Sequence, residues 1–169
     1  VGELTAEEVA AHHGHDEVVE WLQRTRDYCS PLHHLELLSA GQARALLRAG
    51  AALGARARPD GPSPLDVARQ LLPQGGTQGS NAARLVVAAA EPWSPRTHRL
   101  WPAAAQARAG ELVRLGWLLA NTDRSPGPFG NESQALMDAW RGVVMPAALV
   151  RSDFEGPVTR QLLALKGPL

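Results

Sequence analysis

One cysteine, one tyrosine, two phenylalanines and a single lysine stand among 169 residues. Cys29 alone permits no internal disulfide, which suits a reducing compartment, so an intracellular, cytoplasmic location is expected. Acids and bases cancel at 17 each, leaving no electrostatic case for nucleic acid or an anionic membrane surface. No apolar run approaches the roughly 18 residues of a spanning helix, so no membrane insertion is expected. The first residue is Val1, and Glu3, Glu7 and Glu8 follow. That start suits a processed product or an excerpt and does not suit a secretory or transit peptide. Aromatics at 5% and sparse β-branched residues disfavour a sheet protein and favour helices joined by punctuated turns.

What is present is Ala, Leu, Arg, Gly and Pro. Sixteen of the 17 bases are arginine and only Lys166 is lysine. Arginine suits bidentate recognition of anions, but Ala, Arg, Gly and Pro rising together is also the mark of GC-biased coding. Along the sequence the arginines do not cluster, so no basic patch is expected.

A repeat organises the first half. Ser30-Pro31-Leu32-His33 recurs as Ser63-Pro64-Leu65-Asp66. The hydroxyl of Ser30 can cap a helix, and Pro31 falls at the first helical position, where no amide partner is needed. Leu32, Leu35 and Leu38 lie on one face, so a helix is expected over 35–38 and a second over 43–49. Gly50 then stands where a left-handed helix stop is wanted. Residues 56–61 predict a projecting hairpin with Asp60-Gly61 as its turn. The second copy is interrupted by an insertion at 72–80 before a helix over 81–90. Upstream, Thr5 to Leu22 forms a third copy. Thr5 stands closer to Ser30 than Ser30 does to Ser63, which predicts a tight loop at 23–28.

These copies resemble the ankyrin repeat, whose T-P-L-H turn, G-H step and closing G-A stretch match Ser30–His33, Gly14-His15 and Gly50-Ala51. The step from Ser30 to Ser63 equals the ankyrin period. The resemblance covers residues 4 to about 92, with copies near 4–25, 29–61 and 62–92, and residues 93–169 form a C-terminal extension. It implies an all-α chain: a short ankyrin-repeat solenoid of about three helix pairs, capped by the helical extension. Such a stack is marginal alone, because each repeat buries its apolar face only against a neighbour.

The extension is expected to cover the open face of Leu85, Val86 and Val87. A helix over 102–121 carries Ala105, Ala109, Leu112, Gly116 and Leu119 along a narrow seam. Another is expected to bury Leu136, Ala139, Trp140, Val143 and Ala147, with a kink at Pro146, whose ring crowds the Gly142 carbonyl. A short last helix carries Val158, Leu162 and Leu165. The string from Trp93 to Pro102 is similar to extensions that follow ankyrin repeats in unicellular eukaryotes. A SOCS box does not fit, since Trp140 would stand at its cysteine and its L-P-x-P element is absent.

Chemistry is conceivable at three places. His12, His13, His15, His33 and His34 could hold zinc, since His-x-His spacing is usable, but His15 and His33 occupy positions where ankyrin repeats use histidine for hydrogen bonds between turns. Cys29 near His33 could suggest a thiol nucleophile, yet no orienting third residue can be argued. Residues 73–80 could cradle a phosphate but lack the P-loop lysine. The tryptophans Trp93, Trp101, Trp117 and Trp140 are expected to form the bulky core of the extension.

The resemblance therefore implies a non-enzymatic module without cofactor or metal, binding a protein partner through its concave surface. The contact residues it implies are Arg26, Asp27, His34, Arg56, Arg58, Pro59 and Asp60. Two rivals remain: a structural subunit of a larger assembly, and a histidine-rich metal protein or cysteine-dependent enzyme.

Overall fold

Three of the helices open on a hydroxyl residue bonded to the side chain three positions on. The computed structural model describes residues 4–74, 78–122 and 132–154. Thr5 exchanges bonds with Glu8, Ser39 with Gln42, and Ser63 with Asp66. Each pair satisfies two amides that a helix start would otherwise leave without partners. They launch α1 (Ala6–His12), α3 (Ala40–Arg48) and α4 (Pro64–Leu71), while α2 (Asp16–Thr25) follows the turn at Gly14. Next come α5 (Gln78–Ala90), α6 (Ala103–Thr122), α7 (Glu132–Ala139) and α8 (Met145–Ala148). Every regular element among the described residues is helical, and none is long and apolar enough to cross a membrane.

Gly50 stops α3 as expected, and Gly14 stops α1 in the same way. Gly50 has φ of 86° and Gly14 of 71°, the left-handed region that favours glycine. Ala51 N–H reaches back to the Leu46 carbonyl at 3.0 Å, and His15 N–H to Ala10 at 3.0 Å, so both helices end in the same Schellman closure.

The first core unites Leu32, Leu35, Leu46, Leu47, Val67 and Val86. Burying each such side chain fully contributes about 1.5–3 kcal/mol. α5 presents Ala82, Ala83 and Ala89 to it, small residues that let α3 and α4 lie close. The first layer is less covered, with Ala10 buried and Val9 and Val18 exposed.

Several expected elements take another form. Residues 35–38 are a turn and not a helix, preceded by a single 3-10 turn at Pro31–His33. The reason is local: His34 leaves helical geometry at ψ 49°, and Ser39 already caps α3 one residue beyond Leu38. Leu32 and Leu35 are buried all the same, so the apolar spacing is served without a helix. The expected hairpin at 56–61 is also absent. Gly61 N–H bonds to the Arg58 carbonyl at 3.0 Å, which puts Pro59 and Asp60 at the centre of the bend, where proline's fixed φ suits it. The insertion at 72–80 is shorter than expected, since Leu72–Gln74 continues as a 3-10 turn and α5 begins at Gln78.

The extension builds a second core from Trp93, Trp101, Ala105, Ala109, Leu112, Met145 and Leu149. The α6 seam holds through Gly116, where an added Cβ would sit 2.7 Å from the Trp140 indole. Trp140 Nε1 donates to the Leu112 carbonyl at 2.9 Å, fixing that approach. Leu119 is exposed beyond it, and so is Trp117. Along the next segment Met137, Met145 and Leu149 are buried, while Leu136 and Val143 face outward. A π-turn at Trp140–Val144 shifts the face of the residues after it, Met145 and Leu149, relative to those before it. Its wider winding relieves the crowding that Pro146 would impose on Gly142 and advances the register past the 3.6-residue pattern. The helix expected around Val158, Leu162 and Leu165 lies outside the described residues.

Candidate functional site

The starts of the two S-P-L copies share a geometry. Ser30 and Ser63 are both extended, and Pro31 and Pro64 both open a helical turn. Ser63 N–H donates to Asp66 Oδ2 at 3.0 Å, and Ser30 N–H to His33 Nδ1 at 3.3 Å. The Ser30 hydroxyl lies 2.9 Å from that same ring nitrogen. His33 Nε2 sits 3.1 Å from the Pro62 carbonyl. A carbonyl can only accept, so Nε2 carries the hydrogen and Nδ1 accepts. One imidazole thus joins the start of one copy to the start of the next. A third start of this kind escapes the sequence pattern. Ser94 and Thr97 form the same reciprocal pair, at 3.1 and 3.2 Å, one further step of nearly the same length beyond Ser63. Its signal is Ser94-Pro95 with a hydroxyl at Thr97, which by itself reads as a plain turn.

Between these starts lies a polar groove of about 560 Å³, walled by Arg24, Tyr28, Glu36, Arg56, Asp60, Asp66 and Gln70 among others. Ion pairs hold its rim. Arg24 meets Glu36 at 3.2 Å, and Arg56 meets Asp66 at 2.6 Å while also donating to the Gly61 carbonyl. The two hydrogen bonds from Ser63, aided by Arg56, hold the Asp66 carboxyl below its ordinary range.

Of the seven residues implied for partner contact, Arg56 and Asp60 line this groove. Asp27 and Arg58 pair with each other at 3.2 Å, tying the 26–27 turn to the 58–61 bend. Arg26 and Pro59 are exposed. His34 instead packs in an aromatic cluster, 5.8 Å from Trp21 and 5.1 Å from Tyr28. Tyr28 also stacks on His33 at 5.1 Å, and its burial, with Glu36 nearby, pushes the phenol up.

The histidines expected as rival metal ligands fall into two groups. His12, His13 and His15 are exposed near one another, and the described residues contain no group of three His, Cys, Asp or Glu placed to hold a metal ion. Cys29 is half-buried.

Burial pushes His33 toward its neutral form, opposed by its bonds to Pro62 and Ser30, and His34 shifts the same way from burial and from His33 beside it. A histidine whose folded pKa lies below its unfolded value binds fewer protons when folded. Stability is therefore fully present above the unfolded value of 6.5 and falls as pH drops below it. We expect the melting temperature to decline between about pH 7.5 and 5.5, and His33→Gln to flatten that decline. A His33→Gln chain with an unchanged slope would remove His33 as the cause. Asp66, depressed in the same sense as other capped carboxylates, acts only at still lower pH, below its ordinary value of 3.8.

No family model, no curated protein and no solved structure matches this chain, so its functional reading stands on this geometry.

Proposed function

We propose that the chain is a short ankyrin-type stack with a helical cap, acting as a non-enzymatic module that binds a protein partner in the groove beside Arg56 and Asp60. The observation that carries this reading is the His33 bridge, which repeats a serine-proline start and links it to the next one at ankyrin spacing. A groove in which Arg24, Glu36, Arg56 and Asp66 are already paired and whose bends are tied by Arg58 and Asp27 suits rigid-surface recognition with little rearrangement.

Arg56 and Arg58 hold the loop, so their reversal would disturb the site as well as the contact. Arg26 and Asp60 are exposed and carry no such task, which makes them the better probes. Capture of partners from the source cell, followed by affinity measurement for the principal one, is expected to show at least a tenfold weakening in the Arg26→Glu/Asp60→Arg chain, about 1.4 kcal/mol. An unchanged captured set and affinity would remove the groove from the interface.

A second reading, a subunit of a larger assembly, draws on the apolar surface of the cap. Leu115, Trp117, Leu118, Leu136 and Val143 are all exposed there, and exposed apolar surface of this kind marks interaction sites. Trp117→Gln in the same capture separates the two readings, since it alters the cap and leaves the groove intact.

A further inference from the structure

Arginines that are scattered along the sequence meet in a second cleft. It measures about 600 Å³ and is lined by Arg44, Arg48, Arg96, Arg99, Leu85, Leu100 and Gln106. Arg44 and Arg48 stand one turn apart on the exposed face of α3, opposite the buried Ala43 and Leu47. Arg96 and Arg99 project from the turn that the Ser94–Thr97 bonds fix in place. Gln106 is held by its bond to the Trp101 carbonyl at 2.7 Å. Among the described residues no carboxylate lines the cleft, and none of its four arginines enters an ion pair. In a chain of zero net charge, such a gathering of like charges is unfavourable until an anion enters.

The geometry points to a phosphate site: the cleft takes a phosphoserine or phosphothreonine of a partner polypeptide, with the phosphate among Arg44, Arg48, Arg96 and Arg99 and a neighbouring apolar side chain against Leu85 and Leu100. Guanidinium forks match phosphate oxygens bidentately, and every base here is arginine rather than lysine. A phosphate offers three acceptor oxygens and nearly two negative charges, which answers four guanidinium groups better than one carboxylate does. The concave lining suits a single protruding phosphate better than a flat headgroup layer. The described lining has no aromatic wall, and so lacks the stacking platform that single-stranded nucleic acid uses. The inference is independent of the partner groove, with which this cleft shares no lining residue.

The test is anisotropy of a fluorescein-labelled peptide with one phosphoserine between leucines, against its unphosphorylated twin, with inorganic phosphate as competitor. We expect saturable binding that phosphate displaces, at least about tenfold weaker for the twin. Arg48→Glu/Arg99→Glu is expected to abolish it, and Arg48→Lys/Arg99→Lys, which keeps the charge and loses the fork, to weaken it several-fold. Circular dichroism confirms that these surface variants fold, and the lysine pair keeps the test open should the glutamates fail. Equal binding of the twin, full binding by the glutamate variant, or no binding of either the peptide or inorganic phosphate would each overturn the proposal. Preference for phosphatidylserine vesicles over the peptide would overturn it in favour of a membrane surface.

Discussion

Replacing Arg151 with methionine is expected to lower stability by about 3 kcal/mol, one of the largest effects of any single change in this chain. Arg151 is 8% exposed and donates to the carbonyls of Leu47, Ala89 and Leu100 at 3.2 to 3.4 Å. Leu47 and Ala89 lie in the last turns of α3 and α5, where the helix dipole favours a cation; the Leu47 carbonyl also accepts the Gly50 N–H at 3.2 Å. One side chain thus fastens the segment after α8 to the ends of α3 and α5 and to the turn before α6. Methionine keeps most of the stem and removes the donors, leaving the carbonyls of Ala89 and Leu100 less well satisfied inside the protein. Hydrogen bonds to charged groups contribute a net of about 1.5–3 kcal/mol each. With Leu47 still bonded to Gly50 N–H, the two carbonyls that lose a partner set the expected loss at about 3 kcal/mol, twice the lower figure. At about 2–4 °C per kcal/mol for a chain of this size, urea and thermal unfolding are both adequate measures. Arg151→Lys is expected to recover less than half, because one ammonium cannot span three carbonyls that the planar fork reaches together. A loss below about 1 kcal/mol for the methionine variant would mean that the extension is held by apolar packing alone.

The all-helical architecture is legible in the sequence because its signals are local. Capping residues, prolines at first turns and Gly50 after Ala49 act within a turn or so of chain. The structure uses Ser63, Pro64 and Gly50 as the sequence implies, while Ser30 and Pro31 open only a single 3-10 turn. The α6 seam from Ala105 to Gly116 is legible for the same reason, since helical periodicity alone defines it. Pattern fails where tertiary demands outweigh it. Leu32 and Leu35 reach the core from a turn, because Ser39 begins α3 too soon for a helix to form between them. Periodicity also misassigns the face of the 143–149 segment, because a π-turn at Trp140–Val144 shifts the register in a way no 3.6-residue pattern contains. At the candidate groove, Arg56 and Asp60 are among the residues that the resemblance implies, and both line it. The arginine cleft has no such signal, because Arg48 and Arg96 stand far apart in sequence and become neighbours only when α3 meets the turn after α5. Arg151 is invisible to pattern for the same reason, its partners lying 51 to 104 residues away.

Trp101 offers the companion test, and its two substitutions should differ sharply. Its side chain is 1% exposed and anchors the second core against Ala105, Met145 and Leu149. Trp101→Ala is expected to cost about 3–5 kcal/mol, the usual result of emptying so large a buried volume. Trp101→Phe should cost far less. The indole Nε1 is buried without a partner among the described residues, so the native residue already carries a desolvation penalty of roughly 1–3 kcal/mol that phenylalanine removes. That relief offsets much of the lost ring volume and brings the expected cost to about 1 kcal/mol or less. The Arg151 guanidinium also lies 5.7 Å from the Trp101 ring centre, an attraction worth about 0.5–2 kcal/mol when desolvated. A double-mutant cycle of Arg151→Met with Trp101→Ala should therefore show coupling of at least about 0.5 kcal/mol. Urea denaturation of the four chains gives all these quantities. Additive losses would show that the charge and the ring stabilise the extension independently, and a Trp101→Phe cost equal to that of alanine would show that the buried indole N–H is satisfied after all.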